Sequence, residues 1–226
     1  MGNENKPSTP LRVCSYPRSG THLLMALLWA NYDVGECGKK IEAPNLRFQV
    51  DGKLESEPFI RWAQLFGTHK HVIDLPEFGI EPSQVVYLIR DPRDVFRSLW
   101  FMRFGNLLPE SYINEKTLCG WRNHVQEYTE LGAMIRQNIV IRYEDLVRDW
   151  RSALSPIVYR FDLVKKVATG GSPCFGPKEL GQVGWMGPVG PTAAAPHFPK
   201  EVDDRFAEIL GDEIFDYKLG GLEIAE

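Results

Sequence analysis

Two short stretches concentrate side chains able to hold an anion. The first is Pro17-Arg18-Ser19-Gly20-Thr21-His22, within SYPRSGTHLL. Arg18 carries a fixed charge on a planar fork of donors, and Ser19 and Thr21 add hydroxyls. Gly20 lets the backbone approach a ligand, and the first-turn N–H groups of a following helix point at it. The second stretch is YLIRDPRDVFRS, with Arg90 at its strand end and Ser98 eight residues later, two helical turns on. A third group, His69-Lys70-His71 in FGTHKH, holds the only clustered imidazoles. Histidine is mostly neutral yet basic at pH 7, with an unperturbed pKa of about 6.5, which suits proton transfer. Asp74 or Glu77 can orient such a base or replace it. Taken singly, each basic junction also reads as a capped strand-to-helix turn, and the histidine cluster as a polar loop.

The elements that must position these residues follow from hydrophobic pattern. LRVCSY (11–16) predicts a short buried strand, and THLLMALLWAN (21–31) a mostly buried helix. Residues 32–58 read as irregular, and AQLFGTH (63–69) as a strand. SQVVYLIR (83–90) is nearly continuous in apolar residues, as parallel strands covered on both faces are. A helix over 91–104 follows, with Asp91 as N-cap and Pro92 in its first turn. Then come a helix over about 121–136, a strand NIVIRYED (138–145) and a helix 146–161, which Pro156 is expected to kink. Leu146, Trp150, Leu154 and Val158 fall in phase on that helix. This order predicts an α/β fold with a central, mostly parallel sheet flanked by helices. Residues 165–199 hold seven glycines and six prolines, too many for regular structure. A short helix near 200–210 closes the chain, leaving a flexible leader (1–10) and one domain (11–226).

The bulk composition restricts the partners. With 226 residues, 43% hydrophobic, the chain can bury one substantial core. A net charge of -4 argues against general nucleic-acid binding, so any anion site is local. Cys14, Cys37, Cys119 and Cys174 are scattered without a CxxC pair, and no apolar run approaches a membrane span. The polar opening MGNENKPSTP has no apolar segment of a signal peptide. A cytoplasmic protein, not associated with a membrane, is the expectation.

Together the two anion stretches resemble the sulfotransferases that use 3′-phosphoadenosine 5′-phosphosulfate (PAPS). That family's 5′-phosphosulfate loop reads like YPKSGTTW and stands here as Tyr16 to Leu23; its 3′-phosphate motif stands here as Arg90 to Ser98. VIRYEDL (140–146) is also typical of the family, and KELGQVGWM (178–186) keeps a late Gly-x-x-Gly-x spacing, with Leu180 where a basic residue is usual. The resemblance implies a P-loop-like nucleotide-binding fold with PAPS as donor, PAP as product and no metal. It implies nucleotide contacts from Pro17, Arg18, Ser19, Gly20, Thr21, His22, Arg90, Ser98, Tyr143, Lys178, Gly181, Gly184 and Trp185. Tyr143, Glu144 and Asp145 read chiefly as anchors of the fold, and His22 as a pocket wall. The resemblance implies a catalytic group with His69 as base, favoured by the Thr68-His69 pair, His71 in reserve, Lys70 beside them, and Arg18 stabilising the leaving phosphate. The acceptor it implies is a hydroxyl, or an amine, of a small molecule or glycan. Alternatives are a non-catalytic PAP-binding module and a P-loop kinase, the latter disfavoured because the loop lacks the GK[ST] ending that serves triphosphates.

Overall fold

The computed structural model describes residues 11–33, 60–62, 65–68, 85–104, 113–135, 139–165 and 198–211. In chain order these form β1 (Leu11–Ser15), α1 (Thr21–Asn31), β2 (Tyr32–Asp33), β3 (Ile60–Trp62), β4 (Leu65–Thr68), β5 (Val85–Ile89) and α2 (Pro92–Phe104). Then follow α3 (Glu115–Ile135), β6 (Ile139–Arg142), α4 (Tyr143–Arg148), α5 (Trp150–Arg160), β7 (Val164–Lys165) and α6 (Lys200–Leu210).

The main sheet runs β3-β4-β1-β5-β6. All its pairs are parallel except β3–β4, an antiparallel edge pair. Alternation along β5 sorts the core into two layers, because successive side chains point to opposite faces. Val86 and Leu88 join α1, α4 and α5 through Leu24, Leu28, Leu146 and Leu154. Val85, Tyr87 and Ile89 join α2, α3 and α6 through Phe96, Trp100, Trp121 and Phe206. β5 is buried along its whole length, which explains its unbroken apolar sequence. From β1 the chain moves to β4 on one side, and from β5 to β6 on the other, so the crevice between β1 and β5 is the switch point where ligands of open α/β sheets bind.

Three boundaries differ from the sequence expectation. The strand read as 138–145 ends at Arg142, and Tyr143–Asp145 open helix α4 instead. Glu144 and Asp145 suit a helix N-terminus, and Tyr143 and Leu146 bury one turn apart. The helix read as 146–161 is broken at Asp149, whose carboxylate accepts the Ser152 N–H at 3.3 Å and the Ser152 hydroxyl at 2.6 Å, and so starts α5. Pro156 sits inside α5 without ending it. Helix α3 begins at Glu115 rather than near 121, because Asn114 and Thr117 exchange reciprocal cap bonds of 3.1 and 3.2 Å. β3 was hidden because Ile-Arg-Trp is too short to show a period. No helix among the described residues is long and apolar enough to cross a membrane.

Candidate active site

Strand register brings the site together. Ser15 at the end of β1 lies opposite Leu88, and Ile89 at the end of β5 lies opposite Arg142 at the end of β6. The turns that leave these strands, Tyr16–Gly20, Arg90–Asp91 and Tyr143, are therefore neighbours.

The first turn is tight and unusual in its backbone. The Ser19 N–H donates to the Tyr16 carbonyl at 3.1 Å, and Arg18 and Gly20 both have positive φ, 71° and 101°. An L-residue in that region costs on the order of 1–2 kcal/mol, and the turn supplies contacts that hold it there. Arg90 Nη1 donates to the Arg18 carbonyl at 3.1 Å, and Arg18 Nε donates to Ser98 Oγ at 2.9 Å. Gly20 is required twice over. A Cβ placed there would lie 2.5 and 2.7 Å from two ring carbons of Tyr143, and its φ disfavours any side chain. The Thr21 hydroxyl is hydrogen-bonded to that of Ser15, tying the two ends of the turn. Ser19 is buried, and its hydroxyl has no hydrogen-bond partner among the described residues. An unsatisfied buried hydroxyl costs about 1–3 kcal/mol, a cost that a bound acceptor atom would remove. Gly20 is the N-cap of α1, and no side chain caps this end or places an acid in the first turn.

Tyr143 joins the three turns. Its ring packs on the Gly20 backbone, and the Arg90 guanidinium lies over it, 4.2 Å from the centroid. Arg90 is itself buried and pairs with Asp94 at 3.7 Å. From the next residue of α4, Glu144 Oε1 accepts the Asp91 N–H at 3.0 Å. Asp91 caps α2 as expected, accepting the Arg93 N–H at 2.8 Å. The proximity of Arg90 is felt electrostatically. Desolvation first, and the charge of Arg90 second, hold the Arg18 pKa below the ordinary arginine value. An anion between these guanidiniums would replace repulsion by two attractions.

Of the residues read from sequence, Arg18, Ser19, Gly20, Arg90, Ser98 and Tyr143 thus converge on one place. Thr21 faces inward to Ser15, and His22 is half-buried in the first turn of α1. His69, Lys70, His71, Asp74, Glu77, Lys178, Gly181, Gly184 and Trp185 lie outside the described residues.

The sequence reading missed His124. This buried α3 residue accepts from, or donates to, the Tyr87 hydroxyl through Nδ1 at 2.8 Å, and meets the Tyr16 ring edge-on at 5.6 Å. Tyr87 stacks on Tyr128 at 4.3 Å. The polar aromatic cluster thus supports the anion turn from below through Tyr16. The available signal was the His124-x-x-x-Tyr128 spacing, one helical turn on a single face.

The sulfotransferase domain family matches residues 8–161, most of the chain. The chain belongs to the sulfotransferase family. Among solved structures it is similar to the mouse sulfotransferase SULT7A1 complexed with PAP. That likeness has a TM-score of 0.54 at 18% identity, and covers 94% of this chain and 87% of the mouse chain. At that identity it speaks for the fold, a parallel sheet flanked by helices of P-loop-like type. Comparison with curated protein sequences gave no match. The sulfotransferase match spans both anion turns and the α4 segment that joins them.

Proposed function

We propose that this sulfotransferase-family chain transfers the sulfuryl group of PAPS to a hydroxyl, or an amine, of a small-molecule or glycan acceptor. The contact of Arg18 Nε with Ser98 Oγ carries the reading, because it joins the two anion motifs into one ligand site. A donor with a phosphosulfate at one end and a phosphate at the other needs two such motifs side by side. The buried Ser19 hydroxyl and the uncapped end of α1 fit the phosphosulfate. Arg90 and Ser98 fit the 3′-phosphate.

In the proposed reaction the acceptor oxygen attacks sulfur in line with the bridging oxygen of the 5′-phosphate. The bond from sulfur to that oxygen breaks, its electron pair leaves on PAP, and the acceptor proton passes to a base. His69 is assigned that proton, with His71 in reserve and Lys70 adding positive charge. Arg18 faces the leaving phosphate and stabilises its growing charge. A guanidinium keeps its proton near neutral pH, so Arg18 stabilises that charge without giving the proton up. The free thiols Cys14 and Cys119 accord with a cytoplasmic setting.

The test is thermal stability with three nucleotides. Adenosine 3′,5′-bisphosphate at about 100 times its Kd should add about 2.7 kcal/mol, and raise Tm far more than ADP or ATP with Mg²⁺. Equal shifts from all three remove the PAPS reading. A donor-coupled screen of hydroxyl and amine acceptors then identifies the substrate.

A further inference from the structure

Strand β5 is buried along its whole length, and its side chains are apolar except for one hydroxyl, that of Tyr87. The Tyr87 ring stacks on Tyr128 at 4.3 Å, a packing that phenylalanine would give equally well. The hydroxyl calls for another explanation, because a phenol oxygen in a core costs stability unless it is hydrogen-bonded. One partner is His124 Nδ1 on α3, at 2.8 Å. Another is the backbone N–H of Tyr16, the first residue after β1. Within a parallel ladder a backbone N–H is met by the carbonyl of the next strand. Here a side chain meets it, at the point where the chain leaves the sheet. Tyr16 is thus held at both backbone groups, since its carbonyl accepts the Ser19 N–H at 3.1 Å. Its ring lies edge-on to His124 at 5.6 Å and beside Phe96 at 6.1 Å. Burial pushes the Tyr87 pKa well above the ordinary phenol value, so the hydroxyl keeps its proton. With one lone pair of that oxygen on the Tyr16 N–H, the proton needs an acceptor, and Nδ1 of a neutral His124 is in place for it.

We propose that Tyr87 and His124 are positioning residues of the candidate active site: hydrogen bonds from His124 Nδ1 through the Tyr87 hydroxyl to the Tyr16 N–H set where the anion turn presents Arg18, Ser19 and the α1 N–H groups. This rests on the nucleotide reading above and adds what holds the site for the 5′ end. Tyr87 and His124 stand on elements packed into the core, so they give the turn a rigid reference. The turn needs one, because Arg18 and Gly20 both have positive φ and gain nothing from their own backbone preference. Fixing the entry at Tyr16 leaves the residues that follow a single arrangement. Arg90 and Ser98, proposed for the 3′-phosphate, stand on the end of β5 and on α2, outside this chain of bonds.

Isothermal titration of the full chain with adenosine 3′,5′-bisphosphate and with adenosine 3′-monophosphate tests it, because only the first places a phosphate on the turn. Tyr87→Phe keeps the ring and removes the hydroxyl. It should weaken bisphosphate binding about tenfold, the size of one lost hydrogen bond, and change monophosphate binding less than about twofold. His124→Leu should do the same, and the double variant should bind no more weakly than the weaker single variant, since both break one chain of bonds. His124→Asn, whose amide oxygen can stand where Nδ1 does, should keep bisphosphate affinity within about threefold of the unaltered chain. Ligand-free melting temperatures report on folding, and Tyr87→Phe decides the matter if His124→Leu does not fold. Unchanged bisphosphate affinity in folded Tyr87→Phe, an equal loss for both ligands, additive losses in the double variant, or no rescue by asparagine overturns the proposal. Failure of both Tyr87→Phe and His124→Leu to fold overturns it too, by assigning the hydroxyl to the core. An unaltered chain with no preference for the bisphosphate over the monophosphate overturns the nucleotide reading itself, so the two failures are distinguishable.

Discussion

At the end of β1 the chain enters α1 through two residues of positive φ, with no side-chain cap and no acid in the first turn. At the end of β5 it enters α2 through Asp91 and Pro92, with Asp94 in the first turn and the Glu144 carboxylate on the Asp91 N–H. Both are strand-to-helix turns at the same edge of one sheet, and both looked alike as basic anion motifs. Their backbones differ in what they leave for a ligand. Three carboxylates already crowd the N-terminus of α2, so its positive dipole end serves the protein itself. Among the described residues, the N-terminus of α1 has no such competitor. An anion at the first junction can use backbone N–H groups, whereas the second junction offers the side chains of Arg90 and Ser98. That division suits a donor whose reacting end needs charge stabilisation and whose other end needs recognition.

The largest expected effect breaks the first junction's chemistry. Arg18→Ala should lower kcat by about 100- to 1000-fold, the usual loss for one group that stabilises developing charge, with little change in Tm. Turnover at the level of the unaltered chain would show that Arg18 serves the turn and not the reaction. Gly20→Ala attacks the backbone instead. It should cost about 1–3 kcal/mol of stability for the strained φ alone, and abolish bisphosphate binding as the turn moves off the Tyr143 ring. Native melting with native affinity would mean that the close approach is not needed.

At the second junction the effects are smaller and separable. Ser98→Ala removes the acceptor of Arg18 Nε and should weaken bisphosphate binding about tenfold, without altering Tm. An unchanged Kd in titration would leave Ser98 outside the ligand site. The smallest effect on binding sharpens the contrast most. Asp91→Ala should cost about 1 kcal/mol of stability, as N-cap losses do, with affinity held within about twofold. A large loss of affinity with unchanged stability would reverse the assignment of that carboxylate to the fold.

Much of the scaffold was legible because local physics wrote it. β1, α1, β5 and α2 declare themselves by apolar runs of the right length, and the Asp91-Pro92 start of α2 is a local capping signal. The Tyr143–Asp145 segment was misread because Arg142 and Tyr143 continue an apolar strand pattern, while the helix start depends on acids two residues further on. His124 was invisible for a different reason. Its importance comes from a β5 hydroxyl and a loop ring, distant in sequence, that only packing of α3 on the sheet brings to it.

Residue type alone sets charge, donor count and permitted φ, and so established the groups at each junction: two arginines, the serines and a glycine. The α/β order was likewise readable from the chain, since hydrophobic period is a local property. Folding in three dimensions was needed to show that the two anion motifs meet, that Tyr143 wedges between Gly20 and Arg90, and that Asp94 is shared by two arginines. Those facts depend on parallel register between β1, β5 and β6, which is fixed by burial of both sheet faces together and by no single segment.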